Sequence, residues 1–257
     1  MRIVIPSFGR AEILRTKTLK MLEMQGFQRN EIDIWVSNPD QLAIYMQAIP
    51  DGNFFVSNTS GLPAKRNAIT AHYAAGEELV CFDDDVSAVH TLRPELSLRN
   101  FIAQAFAMCT THGTPMWGVY PCGNKFFMKD RWRVGFTFCV GAMWGIRNQK
   151  DIKVSLHGCE DAERVIQVFR SHGRVLRYEG CGPVTKYFAA GGINLSASRS
   201  IESEKADKQS LYETQGDLFS KFAPKKNGHW ELTYRRNLSQ IVGNSESDDL
   251  RDDVPTA

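Results

Sequence analysis

Short apolar runs alternate with helix-forming stretches along the first 180 residues. Ile3-Val4-Ile5 is a buried-strand pattern that Pro6, Ser7 and Gly9 close in a tight loop. Ala11 to Gln25 holds helix formers without a breaker, and Gly26 follows as a C-cap. Ile32 to Val36 reads as a second strand, Gln41 to Ala48 as a short helix, and Phe54 to Val56 as a third strand. Pro63 stands at a favoured first-turn position, ahead of a helix from Ala64 to Ala75 that Gly76 ends. Leu79 to Phe82 is a buried strand that runs directly into Asp83-Asp84-Asp85.

Leu98, Phe101, Ile102, Ala105, Phe106 and Cys109 recur at helical spacing and predict one apolar face. Trp117 to Tyr120 and Thr137 to Trp144 read as strands. Ala162, Val165, Ile166 and Phe169 mark a further helix, capped by Gly173 and followed by a strand from Val175 to Tyr178. Helices alternating with strands predict an α/β fold: a mainly parallel central sheet with helices on both faces. Ligands of such Rossmann-like sheets bind at the carboxyl ends of the strands. There is no internal repeat and no linker before residue 243, so residues 1–242 read as a single domain.

Composition narrows the class. The chain has 257 residues, 42% hydrophobic and 23% charged, which excludes collagen-like, fully disordered and coiled-coil readings. No apolar run approaches the ~20 residues that span a bilayer, and the first residues lack a signal-peptide pattern. The expected location is the cytoplasm. Cys81, Cys109, Cys122, Cys139, Cys159 and Cys181 form no CxxC pair and read as free thiols, not a zinc site. Formal net charge is +2, but residues 243–257 carry five acids against one base, a net of −4, which leaves +6 for the remainder. That tail is too polar to offset its ordering entropy and is expected to be disordered. It serves as a solubilising end, or competes with a polyanion for a basic groove.

Three aspartates after a buried strand need neutralisation. Asp83 and Asp85 point the same way from extended backbone. Two hard oxygen ligands suit Mg2+ or Mn2+, with phosphate oxygens completing the shell. The plain alternative is an acidic loop with a helix cap. Upstream, Lys65 and Arg66 sit in a first helical turn, where free N–H groups favour an anion and cations are otherwise misplaced.

Four motifs in order resemble one family. They are Ile3 to Arg10, the run from Ser60 through Lys65-Arg66-Asn67 and Gly76-Glu77 to Phe82-Asp83-Asp84-Asp85, Gly141 to Arg147, and His157-Gly158-Cys159-Glu160-Asp161. Over about residues 1 to 180 the chain resembles the large inverting family of metal-dependent GT-A glycosyltransferases. The resemblance implies a nucleotide-sugar-binding half (1–120) and an acceptor-binding half (121–242). It implies that Asp83 and Asp85 hold the metal and, with Lys65, Arg66 and Asn67, the donor diphosphate. Asp84 would face the other way, onto ribose or structure. Ser7 and Arg10 would lie near the base, and the donor would be a UDP-sugar. Asp161 would be the general base, with Glu160 behind it or in its place. An inverting transfer needs such a carboxylate, and a metal to neutralise the leaving diphosphate. Ordinary helix-start acids are the plain reading of Glu160 and Asp161. His157 or His229 could add a third ligand, and a Gly-Gly loop at Lys186 to Gly192, near Arg199, could close over the diphosphate.

The acceptor side carries bases beside aromatics. Gly123 to Arg133 interleaves Lys125, Lys129, Arg131 and Arg133 with Phe126, Phe127 and Trp132, a pattern that neutralises phosphates and stacks bases. A basic hairpin with half-buried aromatics is the plain alternative. Lys221, Lys225, Lys226, Arg235 and Arg236 form a second basic stretch. Arg147 is the last residue of the third motif, and the resemblance implies that it is acceptor-binding. The layout and the Leu62 to Asp85 run also resemble the DNA-modifying glycosyltransferases that act on hydroxymethyl-pyrimidines, including those of bacteriophages. That implies a DNA acceptor, a flipped base, and transfer of a hexose or pentose in the cytoplasm of the cell or host. The competing expectations are a GT-A enzyme acting on a polysaccharide, lipid or protein, and a non-catalytic binding module on a decayed fold.

Overall fold

A computed structural model describes residues 1–185, 201–225 and 228–242. The expected tail, the Gly-Gly loop with Arg199, and Lys226 lie outside the described residues.

In chain order the elements are β1 (Arg2–Pro6), α1 (Ala11–Leu14), a π-helical turn (Arg15–Leu19), α2 (Lys20–Met24), β2 (Ile32–Val36), α3 (Pro39–Ala48), β3 (Asn53–Val56), α4 (Leu62–His72), β4 (Glu78–Phe82), β5 (Ala88–Thr91), α5 (Leu98–Thr111), β6 (Met116–Val119), β7 (Trp132–Gly135), β8 (Met143–Arg147), α6 (Glu160–His172), β9 (Val175–Tyr178), β10 (Cys181–Val184), α7 (Ile201–Thr214), β11 (Phe219–Pro224), β12 (Trp230–Tyr234) and β13 (Ser239–Val242). Nine strands form one sheet in the order β13-β7-β9-β6-β8-β4-β1-β2-β3. β8 runs antiparallel to β4 and β6, and β7 antiparallel to β9 and β13; the other pairings are parallel. The sheet is thus mixed but mostly parallel, with helices on both faces.

Strand alternation builds two cores. Ile3 and Ile5 pack with apolar residues of α1, α2, α3 and α5, while Val4 packs with those of α4, α6 and α7. All six positions of the apolar face read in α5 are buried. Gly145 in β8 lies under the Trp117 ring, where a Cβ would meet the indole at 2.3 Å. Five of the six cysteines are buried and all are free; Cys122 is partly exposed.

Boundaries shift where side chains bind backbone. α3 starts at Pro39 because Asn38 caps it, its side chain accepting from the Gln41 N–H at 2.9 Å. α4 stops at His72 because Asn148 Nδ2 donates to the carbonyls of Thr70, Tyr73 and Ala74. The strand expected from Thr137 begins only at Met143. The preceding stretch is irregular because it bonds outward: the Ala142 carbonyl accepts from Asp83 N–H at 3.1 Å, and Gly141 N–H reaches Asp161.

Candidate active site

Asp83-Asp84-Asp85 follows the carboxyl end of β4, the end at which a parallel sheet presents its ligand site. The π-helical turn places Thr18, fully buried, against this segment. Its hydroxyl donates to the Asp83 carbonyl at 2.8 Å and accepts from Val86 N–H at 2.9 Å. Asp83 keeps 37% of its side chain accessible and meets Arg66 Nη2 at 3.1 Å. Desolvation pushes its carboxyl up to about 7; Arg66 opposes this, while Asp84, Glu160 and Asp85 add to it. Asp85 is buried, accepts from the Thr185 hydroxyl at 2.6 Å and faces Arg10 at 3.5 Å. Asp84 and Asp85 thus share Arg10, while Asp83 turns to Arg66 and alone among the three opens to solvent.

A closed network lies beneath. Asp84 accepts from Ser7 Oγ at 2.6 Å and Arg10 Nη1 at 3.2 Å. Ser7 Oγ also bonds the Tyr45 hydroxyl at 2.6 Å, which accepts from Arg10 N–H at 3.0 Å. Lys65 Nζ donates to the Ser7 carbonyl at 2.5 Å, and burial lowers its pKa to about 8. Burial likewise raises the Tyr45 phenol to about 12 and raises Asp84. Ser7, Arg10, Lys65 and Asp84 thus brace the loop after β1 from below. Lys65 is buried and braces this loop through its bond to the Ser7 carbonyl.

Arg66 joins this strand end to the start of α6. Its Nε lies 3.8 Å from Glu160 Oε1, and its guanidinium stands 5.4 Å from the Trp144 ring. Arg164 holds the other Glu160 oxygen and stacks on the same ring at 3.9 Å. Glu160 is therefore clamped between two buried guanidiniums. Asp161, one residue on, is freer: it accepts from Gly141 N–H at 3.2 Å and Ala162 N–H at 2.8 Å. Desolvation, with Glu160 adding to it, pushes its carboxyl up to about 6. A half-buried carboxylate with a raised pKa is suited to taking a proton near neutral pH.

Other expected site residues are engaged with protein partners or exposed. Asn67 clamps Val154 with both ends of its amide, at 2.8 and 2.9 Å. Arg147 pairs with Glu78 at the opposite end of β4 and bonds the Phe106 carbonyl, so it stands away from the aspartates. Trp132 is 2% exposed and packs on Tyr178, so its face is not open to a base. Arg131 and Arg133 both bind Glu179. Lys125 and Lys129 are exposed, beside Phe126 and Phe127, on a turn after β6. His157 packs its ring on Gly61, and His229 bonds Glu204. Among the described residues no three His, Cys, Asp or Glu side chains converge as a metal cluster, and neither histidine joins the aspartates as a third ligand.

Comparison with solved structures decides the architecture. S. aureus TarS 1-349 in complex with UDP-GlcNAc aligns with a TM-score of 0.55 at 16% identity, over 83% of this chain and 66% of that one. The mannosyltransferase PcManGT from Pyrobaculum calidifontis, in complex with GDP-Man and Mn2+, aligns at 0.52 and 13%, over 82% and 64%. Glucosyl-3-phosphoglycerate synthase from Mycobacterium tuberculosis, in complex with Mn2+, UDP and glucosyl-3-phosphoglycerate, aligns at 0.51 and 9%, over 93% and 88%. The fold is that of the GT-A glycosyltransferases. The chain spans just under two thirds of the first two of these structures. No protein-family model matches the sequence, and no curated protein matches it.

A divalent cation, such as the Mn2+ in complex with PcManGT, fits one part of the site well. Desolvation, with the neighbouring acids adding to it, keeps the Asp83 carboxyl raised while part of it stays accessible, and a cation would favour its ionised form. Asp85 offers less, since Thr185 and Arg10 already engage its oxygens. Several residues of this site escape a reading by sequence. Thr18, Tyr45, Trp144, Arg164 and Thr185 are ordinary residue types reached by tertiary contact. Only the Arg164 spacing, four residues after Glu160, gives a local signal.

Proposed function

We propose that this chain is a metal-dependent glycosyltransferase that moves a sugar from a nucleotide-diphosphate donor, a UDP-sugar, to a hydroxymethyl-pyrimidine base in DNA. The observation that carries the transferase part is the Arg66 guanidinium, which brings Asp83 and the start of α6 to one place. Asp161 takes the proton of the acceptor hydroxyl, and the oxygen attacks C1 of the sugar from the side opposite the diphosphate. The C1–O bond to the diphosphate breaks, its electron pair leaves with the phosphate, and the configuration inverts. Bound at Asp83, with Asp85 beside it, Mn2+ or Mg2+ would supply charge neutralisation for the leaving group. Arg66 keeps Asp83 and Glu160 in register, and Glu160 with Arg164 orients the first turn of α6.

The exposed tip supports a nucleic-acid acceptor. Phe126 is 85% exposed, with Lys125 and Lys129 near it in the chain, and Phe127 meets it edge to face at 5.0 Å. Such rings stack on unpaired bases while the lysines meet phosphates. A polysaccharide, lipid or protein acceptor is favoured instead by the burial of Trp132, which removes one ring from the tip.

The test is transfer of label from radiolabelled UDP-sugars to hydroxymethylated DNA. Label in DNA, lost with Asp161→Asn, is expected. Label entering only glycans, lipids or proteins overturns the DNA acceptor. No transfer and no UDP release, with any donor, leaves a binding module.

A further inference from the structure

Three arginines converge on one carboxylate beside the acceptor side of the site. Glu179 accepts from Arg131 Nε at 2.7 Å, Arg133 Nε at 3.1 Å and Arg177 Nη2 at 2.6 Å. Its side chain is 5% exposed and the arginines 14–20%, so a net of two positive charges sits in a partly desolvated place. Arg133 and Arg177 are direct cross-strand partners in β7 and β9, a like-charge pairing that destabilises a sheet. Asp130, the other acid of this segment, is committed to Arg93 and the Tyr178 hydroxyl.

Donor groups remain over. Arg131 gives Glu179 only its Nε, and Arg133 gives Nε to Glu179 and Nη1 to Ser239 Oγ at 3.3 Å. Both Nη atoms of Arg131 and Nη2 of Arg133 have no protein partner among the described residues, and none is sealed from solvent. Arg177 is fixed from behind, its Nη1 donating to the Phe138 carbonyl at 3.0 Å. With both Nη atoms engaged and Nε buried, Arg177 braces Glu179, while Arg131 keeps both Nη atoms, and Arg133 its Nη2, open to solvent.

Its position follows from the chain path. α6 turns at Gly173 into β9, so the first turn of α6, with Asp161, lies at the end where β9 finishes. Val175 packs in the core that contains α6, and Arg177, two residues on, shares its face. Arg177 Nη1 bonds the Phe138 carbonyl, three residues before Gly141, whose N–H meets Asp161. The turn bearing Phe126 leads through Met128 to Arg131.

We infer that Arg131, Arg133 and Arg177, held by Glu179, form a subsite for a backbone phosphate of a nucleic-acid strand, next to the nucleotide whose hydroxyl reacts at Asp161. Guanidinium forks match a phosphate's paired oxygens, which a lone lysine does not. Glu179 is a positioning residue that holds Arg131 and Arg133 by their Nε atoms and tempers their affinity. The inference rests on the transferase reading for its catalytic meaning, and on the cluster alone for binding.

The experiment measures binding of a fluorescein-labelled single-stranded 12-nucleotide DNA to the full chain across a salt series. The Arg131→Gln/Arg133→Gln double variant is expected to bind at least ~10-fold more weakly at low salt, with a salt slope lower by about 0.7 for the one phosphate lost. Glu179→Gln, which removes one negative charge from the cluster, is expected to bind more tightly; weaker binding by the folded variant counts against the subsite. Unchanged DNA affinity in the folded double variant overturns the subsite. Inorganic polyphosphate that displaces DNA at equal phosphate concentration, with no effect of Phe126→Ala, overturns the nucleic-acid assignment. A thermal shift by UDP with Mn2+ reads the donor side separately. Its absence in the wild-type chain sinks the transferase reading, while the DNA result still decides the subsite.

Discussion

Asp161 accepts a hydrogen bond from the backbone N–H of Gly141 at 3.2 Å. This contact ties the first turn of α6 to the irregular stretch before β8, whose next residue, Ala142, holds Asp83 through its carbonyl. One short loop therefore spaces the two carboxylates that the proposed reaction uses.

Asp161 acts as a base only when ionised. With its pKa raised to about 6 by burial, kcat/KM should fall about tenfold per pH unit below that value and level off above it. Asp161→Asn should lower kcat by at least 100-fold, in line with the 10²–10⁴ typical of a lost general base, while UDP still binds. A pH profile flat between 5 and 8 would refute the assignment.

Asp83 has the opposite sign from most aspartates. Its folded pKa, near 7, lies above its ordinary value near 4. The folded protein thus holds a proton there that the unfolded chain releases between those values. Stability contributed by this group is greatest below about pH 4 and declines as pH rises to about 7. Melting temperatures from pH 5 to 8, without metal, should decline more in the wild type than in Asp83→Asn. Mn2+ should restore stability at pH 8 in the wild type alone; equal pH dependence in both proteins would contradict this.

Trp132 and Phe126, read together from sequence as stacking residues, should separate cleanly. Trp132 is in the core against Phe101 and Tyr178, so Trp132→Ala should cost about 3–5 kcal/mol in urea unfolding. Phe126→Ala should alter stability by less than about 0.5 kcal/mol, yet weaken single-stranded DNA binding by about 1–3 kcal/mol. The reverse pattern would remove the tip from the acceptor site.

Gly145→Ala should destabilise by about 1–3 kcal/mol, because a Cβ there would press on the Trp117 indole at 2.3–2.5 Å. An unchanged urea midpoint would mean that the two strands adjust freely.

The parts of the fold carried by local periodicity were legible in the sequence. β1, β2, β4, β9 and the six-residue face of α5 follow from strand and helix spacing. β5 and β10 were not, because each is four residues long and their pairing depends on a partner about ninety residues away. β13 is as short and is held by β7, more than a hundred residues earlier. The candidate site divides the same way. Asp83 and Asp161 stand at element ends that spacing predicts. The fate of Arg66, Lys65 and Glu160 depended on Trp144, Arg164 and Tyr45, which only tertiary packing brings near. Arg131 and Arg133 read as independent bases until Glu179, beyond the end of a different strand, engages the Nε of each.

The distribution of thiols has a practical corollary. Burial pushes Cys81 up to about 11 and Cys109, Cys139 and Cys181 to about 12, and raises Cys159 further. At neutral pH these sulfurs are shielded and protonated, hence slow toward alkylating reagents. Cys122 alone among the described residues combines a free thiol with partial exposure, and it lies three residues before Lys125. A maleimide dye would therefore label the unmutated protein at one position, and its fluorescence would report directly on what touches the aromatic tip.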